Sequence, residues 1–401
     1  MSLNQTASAE RVHIGFFGMR NAGKSSLVNA VTGQSLSVVS DVLGTTTDPV
    51  KKAMELLPLG PVVIIDTPGF DDEGTLGEMR VEKTNQILAK TDVAILVVDC
   101  LKGICAGDEE LVEAFKKRNI PYIIAFNKCE LLADKKDIND NEIYVSAAEN
   151  INIFELKEKI GSLAGATEVK KYVAADLVNK GDIVVLVIPI DEAAPKGRLI
   201  MPQQLTIRDL LDSNCTVVAC QDTELESTLK ALSKKPGLVI TDSQIFGKVA
   251  KLVPDDIALT SFSILMARYK GELDVLVNGA QALSQIKDGD KILISEGCTH
   301  HRQCNDIGTV KIPAMIRKFT GAEPVFSFTS GGDFPQDLSG FALVVHCGGC
   351  TLNEREMRHR ISLAQAQGVP IVNYGMAIAK MNGILERSVQ IIRNSKFEIR
   401  N

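Results

Sequence analysis

Gly18-Met19-Arg20-Asn21-Ala22-Gly23-Lys24-Ser25 has the spacing G-x-x-x-x-G-K-S, directly after the apolar run Val12–Phe17 and ahead of a helical stretch, SSLVNAVTG, that begins at Ser25 and Ser26. Glycines at both ends let successive backbone N–H groups face one anion, and a helix N-terminus adds partial positive charge. Gly18, Asn21, Ala22, Gly23, Lys24, Ser25 and Ser26 are therefore expected around nucleotide phosphates. Lys24 would reach the β and γ phosphates, and Ser25 would ligate magnesium. After the strand-like VVII, Asp66-Thr67-Pro68-Gly69 sets a carboxylate beside the magnesium shell and a glycine amide near the γ-phosphate. Asn127-Lys128-Cys129-Glu130 follows IPYIIAF, and Ser146 with Ala147 fits a loop closing over a base. A carboxylate accepting from guanine N1–H and N2–H2 rejects adenine, so GTP and GDP are the expected ligands. Glu130 stands where Asp is usual, which keeps the charge and moves its reach by one methylene.

A second constellation lies near the end of the chain. Cys298-Thr299-His300 follows the run Lys291–Ser295, and His346-Cys347-Gly348-Gly349-Cys350 follows the run Ala342–Val345. In open parallel sheets the loops beyond the strand carboxyl ends gather in one crevice, so a long sequence gap need not be a spatial one. Three thiolates with one or two imidazoles suit zinc or an iron–sulfur cluster equally well. Cys100, Cys105, Cys129, Cys215 and Cys220 lie in or beside apolar runs and read as small buried hydrophobes. His13 and His359 read as solvated or capping groups.

The first block resembles the translation-factor-like GTPases that include tRNA-modification and ribosome-assembly enzymes. Asp41-Val42-Leu43-Gly44-Thr45-Thr46-Thr47-Asp48 looks like their first switch segment, in which Thr45 or Thr46 would supply a magnesium ligand. The resemblance implies GTP hydrolysis to GDP and phosphate with Lys24, Thr46, Asp66 and Gly69 as its catalytic groups. Asn21 occupies the position at which potassium-activated members of that group carry a potassium ligand. No Gln stands in the second switch stretch at the usual water-positioning place, which gives a cation something to do.

Taken with the GTPase block, the pattern C-x-H, about 45 residues, then H-C-x-x-C resembles the iron–iron hydrogenase maturation GTPase (HydF) family. That resemblance implies a middle dimerisation domain and a C-terminal domain holding a four-iron four-sulfur (4Fe-4S) cluster on Cys298, Cys347 and Cys350, with His300 and His346 both open as the fourth ligand. It further implies a scaffold on which partner radical-SAM maturases assemble a di-iron precursor for delivery to the apo-hydrogenase. The alternative is a tRNA-modifying or ribosome-associated GTPase with a structural zinc domain. A thiol switch at Cys347 and Cys350 is a third reading.

These residues need a frame of short buried strands ended by loops. Val/Ile-rich runs alternate with amphipathic stretches along all 401 residues, the pattern of βαβ units and parallel sheets. The expected class is α/β, a P-loop domain over 1–168 followed by two further α/β domains over 172–275 and 276–401, with mainly parallel sheets and Gly161–Tyr172 as linker. Strands are expected at Ile183–Ile190, Thr216–Cys220, Leu238–Thr241, Pro324–Phe328 and Pro370–Asn373. Helices are expected at Asp222–Ser233, Ile257–Lys270, Thr309–Phe319 and Asn353–Gln367. A formal charge of −6 does not favour nucleic acid, and no apolar run is long enough to span a bilayer. Nine cysteines without an export signal fit a reducing, cytoplasmic setting and argue against a disulfide framework.

Overall fold

Strands that are apolar on both faces need cover on both, and the central strands of each sheet are buried along most of their length. The computed structural model describes residues 8–34, 50–57, 59–67, 84–165, 171–190, 197, 199–298 and 306–398. They fall into two compact units, Met1–Val169 and Lys170–Asn401.

The first unit is built on a six-stranded sheet, order β2-β3-β1-β4-β5-β6, from β1 (Val12–Phe17), β2 (Val50–Leu56), β3 (Gly60–Asp66), β4 (Val93–Asp99), β5 (Tyr122–Asn127) and β6 (Glu142–Tyr144). All neighbours are parallel except β2 with β3. The central strand β4 is buried at every residue. Separate apolar clusters cover the two faces. Helix α1 (Lys24–Thr32) and the helix Ile153–Gly165 contribute to one, and Leu111 and Phe115 of the helix Ala106–Lys117 to the other. β2 keeps Lys51 and Lys52 exposed at the sheet edge, where charge discourages pairing with another chain.

The second unit holds two four-stranded, all-parallel sheets. One has the order β10-β9-β7-β8, from β7 (Ile183–Val187), β8 (Thr216–Cys220), β9 (Leu238–Thr241) and β10 (Ala258–Ser261). The other has the order β12-β11-β13-β14, from β11 (Lys291–Glu296), β12 (Val325–Ser330), β13 (Leu343–His346) and β14 (Ile371–Asn373). A single apolar cluster running from Val173 to Ile392 serves both sheets.

The α/β class with mainly parallel sheets is as expected, and three local readings need correction. The expected helix Ile257–Lys270 divides into β10 and the helix Phe262–Lys270, with Ser261 Oγ accepting from Ile264 N at 3.3 Å as its cap. Every residue from Leu259 to Leu265 except Ser263 is buried, so no apolar face stands out to distinguish strand from helix. The expected linker opens inside the helix Ile153–Gly165, and residues 166–170 lie outside the described set. His13 is 8% exposed rather than solvated, its Nδ1 lying 2.9 Å from the Arg11 carbonyl.

The helix Leu273–Gln281 lies so close to β14 that a Cβ on Gly279 would fall 1.9 Å from the Ile371 carbonyl oxygen. Gly→Ala inside a helix ordinarily stabilises, by up to ~1 kcal/mol. Here the sign is expected to reverse, with Gly279→Ala lowering the unfolding free energy by roughly 1–3 kcal/mol through overpacking. A urea midpoint at or above that of the wild type would refute the close approach.

Candidate functional site

β1 delivers its chain into the phosphate-type loop through Gly18, whose φ of +137° only glycine adopts readily and whose Cβ would fall 2.2 Å from the Val97 carbonyl oxygen on β4. At the other end Gly23 is left-handed, φ +87°, and a Cβ there would meet Asn127 Nδ2 at 2.3 Å. The loop is thus pressed against two strand ends. No side chain caps the N-terminus of α1. Lys24 is buried, and its Nζ donates to the Gly18 and Met19 carbonyls at 2.9 Å each, which curls the ammonium back over the loop. Asn21 is left-handed, φ 63°, a conformation that Asn tolerates for backbone reasons alone.

The register of β1 with β3 sets Asp66 opposite Phe16 at the strand ends. Ser25 Oγ donates to Asp66 Oδ2 at 2.8 Å, while Asp66 Oδ1 is buried with no hydrogen-bond partner. A buried carboxylate oxygen left unmatched next to a hydroxyl is the donor set a magnesium ion takes, so the residues fit that ion. Thr45, Thr46 and Gly69 lie outside the described residues.

β4 and β5 end in register, Asp99 opposite Asn127. Asn127 Nδ2 donates to the Ala22 carbonyl at 3.0 Å and its Oδ1 accepts from Ala147 N at 3.1 Å, tying the phosphate loop to the loop beyond β6. Lys128 is left-handed, and its Nζ donates to Asp99 Oδ2 at 2.6 Å and to the Asn21 carbonyl at 2.9 Å. Burial raises the Asp99 carboxyl, but the Lys128 ammonium and the Leu101 N–H outweigh it and hold it below the usual range. Ser146 Oγ accepts from Glu149 N at 3.0 Å, which closes its loop. Glu130 Oε2 is buried without a partner. Asp99 was not singled out from the sequence, where its only signal is that it ends a strand in register with Asn127.

In the second unit, β11 pairs with β13 so that Ser295 lies opposite His346. Cys298 follows one strand end and Cys347 to Cys350 follow the other, so the two cysteine segments leave adjacent strands side by side. Cys347 N donates to the Ser295 carbonyl at 2.9 Å, and Thr351 Oγ1 donates to the Gly297 carbonyl at 2.9 Å. Cys347 Sγ accepts from Gly297 N at 3.1 Å and from Gly349 N at 3.4 Å. Gly349 is left-handed, φ 62°, which lets the loop turn back on the sulfur. Burial pushes the Cys347 thiol up to about 12 against those two amides, with Cys350 and Cys298 near enough to add to the rise. Burial also raises Cys350, opposed by Lys270. Free thiols are costly to ionise here, whereas a metal centre holds them as thiolates. Three cysteines on neighbouring strand ends, with peptide N–H groups aimed at the Cys347 sulfur, are the donor chemistry that suits an iron–sulfur cluster.

His346 is fully buried with both ring nitrogens engaged, Nδ1 at 2.8 Å from the Cys347 carbonyl and Nε2 at 3.0 Å from Arg360 Nη1. Burial, with the Arg360 charge, lowers its pKa to about 3, so the ring is neutral. It carries its proton on Nδ1 and accepts at Nε2. His300 lies outside the described residues, as does Cys304, a ninth cysteine six positions beyond Cys298 that was not weighed from the sequence. Among the described residues no group of three or more His, Cys, Asp or Glu side chains is placed to hold a metal ion.

Comparison with known proteins matches residues 13–128 to the 50S ribosome-binding GTPase model. Residues 173–271 match the hydrogen maturase F dimerization domain, and residues 274–391 its tetramerization domain. Among curated proteins, the chain is 30% identical over 161 residues to the tRNA modification GTPase MnmE of Chromobacterium violaceum, covering 39% of this chain and 35% of that one. It is 34% identical over 165 residues to the GTPase Der of Wolinella succinogenes, covering 37% and 35%. The chain thus spans about a third of the length of these curated relatives. A solved structure of Era with MgGDPNP and a segment of 16S ribosomal RNA aligns with a TM-score of 0.36 at 19% identity, covering 57% of this chain and 92% of that one.

The thiol geometry sets an order of reactivity. Cys105 is exposed, not buried as its apolar surroundings suggested, so in the metal-free chain at pH 8 iodoacetamide is expected to label it at least about tenfold faster than Cys347. Peptide mapping by mass spectrometry that found Cys347 labelled first would contradict the buried geometry.

Proposed function

We propose that this chain, which belongs to the hydrogen maturase F family by its tandem dimerization and tetramerization domains behind a GTPase domain, hydrolyses GTP and carries a four-iron four-sulfur cluster as a maturation scaffold. The observation that carries the reading is the pairing of the two strands that Cys298 and Cys347 to Cys350 follow, with two backbone amides on the Cys347 sulfur.

Residues 1–168 form the nucleotide-binding domain, 172–275 the dimerisation domain and 276–401 the cluster domain. Gly18, Asn21, Ala22, Gly23, Lys24, Ser25 and Ser26 receive the phosphates. Ser25, Asp66 and Thr45 or Thr46 attend the magnesium ion, and Asn127, Lys128, Glu130, Ser146 and Ala147 the guanine. Lys24, Thr46, Asp66 and Gly69 stabilise the charge that develops on the transferred phosphoryl group. Potassium bound at Asn21 assists. A cluster held by three cysteines keeps one iron for an exchangeable ligand, and that is the chemistry it supplies when bound. His346, with both nitrogens engaged, positions the loop rather than ligating, and His300 stays open as a ligand. The chain acts in the cytoplasm as a homodimer through its middle domain, where β8 is an edge strand among the described residues. Radical-SAM maturases build a di-iron precursor on the scaffold, and the apo-hydrogenase receives it. Nucleotide state alters how these partners bind, because the γ-phosphate orders switch loops.

Three experiments test the two chemistries. Glu130→Gln replaces a charged acceptor by an amide, which is expected to weaken GDP binding by about 1.5–3 kcal/mol, roughly 10- to 100-fold. The same variant should improve xanthosine triphosphate, whose C2 carbonyl can accept from the new amide N–H. GTP hydrolysis should run faster in potassium than in sodium chloride at equal ionic strength, and Asn21→Ala should erase that difference. For the cluster, anaerobic purification with iron and sulfide analysis and EPR should find stoichiometric labile sulfide in the wild type and none in the Cys298→Ala, Cys347→Ala, Cys350→Ala triple variant. Zinc without sulfide would overturn the cluster assignment.

A further inference from the structure

Two cationic side chains are buried beneath the loop His346 to Cys350, each 2% exposed, and they reach it from different helices. Lys270 ends the helix Phe262–Lys270 and donates from Nζ to the carbonyls of Cys350 at 3.3 Å and Leu352 at 3.0 Å. Arg360 lies within the helix Glu354–Ala366 and spreads its guanidinium over several acceptors. Nη1 meets His346 Nε2 at 3.0 Å, and Nη2 donates to the Gly331 carbonyl and to Glu356 Oε1 at 2.6 Å each. The guanidinium carbon lies 5.0 Å from the Phe334 ring centroid. Through His346 Nδ1 the link continues to the Cys347 carbonyl.

Carbonyl groups alone do not call for this arrangement. A buried serine or asparagine would satisfy them without the several kcal/mol that each desolvated cation costs. Glu356 offsets part of that cost for Arg360. Positive charge held under thiol-bearing residues becomes favourable once the sulfurs are thiolates around an electron-accepting centre, because each added electron makes that centre more negative.

We propose that Lys270 and Arg360 are positioning residues for the cysteine loop, Lys270 through the Cys350 carbonyl and Arg360 through His346 and the Cys347 carbonyl, together stabilising the thiolate-held centre and its reduced form. This role rests on the cluster reading above. It assigns to the helices Phe262–Lys270 and Glu354–Ala366 the orientation of two cysteines that neither helix carries.

The test uses the full chain, reconstituted anaerobically with ferrous iron and sulfide. Its readouts are iron and labile sulfide per chain, the EPR line shape of the reduced form, the midpoint potential and the melting curve by circular dichroism. Lys270→Gln and Arg360→Gln are each expected to need about tenfold or more iron for half-loading and to shift the midpoint potential to more negative values. Lys270→Arg and Arg360→Lys, which keep the charge, should recover most of both. Glutamine variants that melt like the wild type and match it in loading, line shape and potential overturn the proposal, and so does a loss that the charge-conserving variants do not recover. Should the glutamine variants fail to fold, His346→Asn decides, since it keeps both cations and cuts the link to Cys347. An altered line shape in that variant supports the role, and a wild-type line shape overturns it. A wild type that takes up no labile sulfide sinks the cluster reading and this role together, whereas a loaded wild type beside indifferent variants sinks the role alone.

Discussion

Ser295 and His346 face each other across β11 and β13, and the candidate centre of the second unit depends on that register. Three apolar pairs hold it, Ile292 with Leu343, Leu293 with Val344 and Ile294 with Val345, and all six residues are buried. A slip by one residue would turn every side chain of β13 to the opposite face, expelling His346 from its contact with Arg360 and moving Cys347 away from the Gly297 amide. The first unit relies on the same constraint, since Phe16 opposite Asp66 and Asp99 opposite Asn127 bring the phosphate loop, the carboxylate and the base loop to one edge. Chemistry collects at strand carboxyl ends because parallel pairing aligns those ends, while the strands themselves are committed to the core.

Each site also uses a lysine as a brace. Lys128 spans from Asp99 to the Asn21 carbonyl, so the base loop and the phosphate loop share one ammonium. Lys24 lies across the carbonyls of its own loop. Lys270 does the same for the cysteine loop. Loop carbonyls are strong acceptors that no ladder satisfies, and a long flexible side chain reaches several of them from a distant anchor. The loops that carry function are thereby fixed without being lengthened into regular structure.

Much of this could be read from the sequence for identifiable reasons. Thr216–Cys220 and Leu238–Thr241 are apolar runs bounded by turn residues, and they form strands at those residues. Gly18 and Gly23 announced themselves by spacing, and the structure gives each a close neighbour that a Cβ would strike. β10 was hidden because Ala258–Ser261 runs straight into a helix buried on nearly all sides. The antiparallel β2, VKKAMEL, has too much charge for a buried strand and survives as an edge. The helices Met201–Asp212 and Tyr374–Met381 also went unforeseen, the second because it is almost wholly buried and shows no polar face. Arg360 and Lys270 were illegible for a different reason. An arginine in NEREMRHR or a lysine in MARYK reads as solvated surface, and only long-range packing buries it.

Among the described residues of the first unit, the buried carboxylate oxygens without a hydrogen-bond partner include Asp66 Oδ1 and Glu130 Oε2. Each such group costs about 1–3 kcal/mol in the free protein. These two acceptors, at opposite ends of one loop system, lie where a cation and a pair of N–H donors would satisfy them. A nucleotide with its metal ion would meet both groups at once, so binding and stability would be linked through these two atoms. Glu130 sharpens the point. Its extra methylene carries the charge farther than an aspartate would, yet the oxygen is still buried, on a backbone that Asn127 and Lys128 fix just ahead of Cys129 through their own side-chain bonds. The loop, rather than the length of the acidic side chain, determines where the acceptor lies.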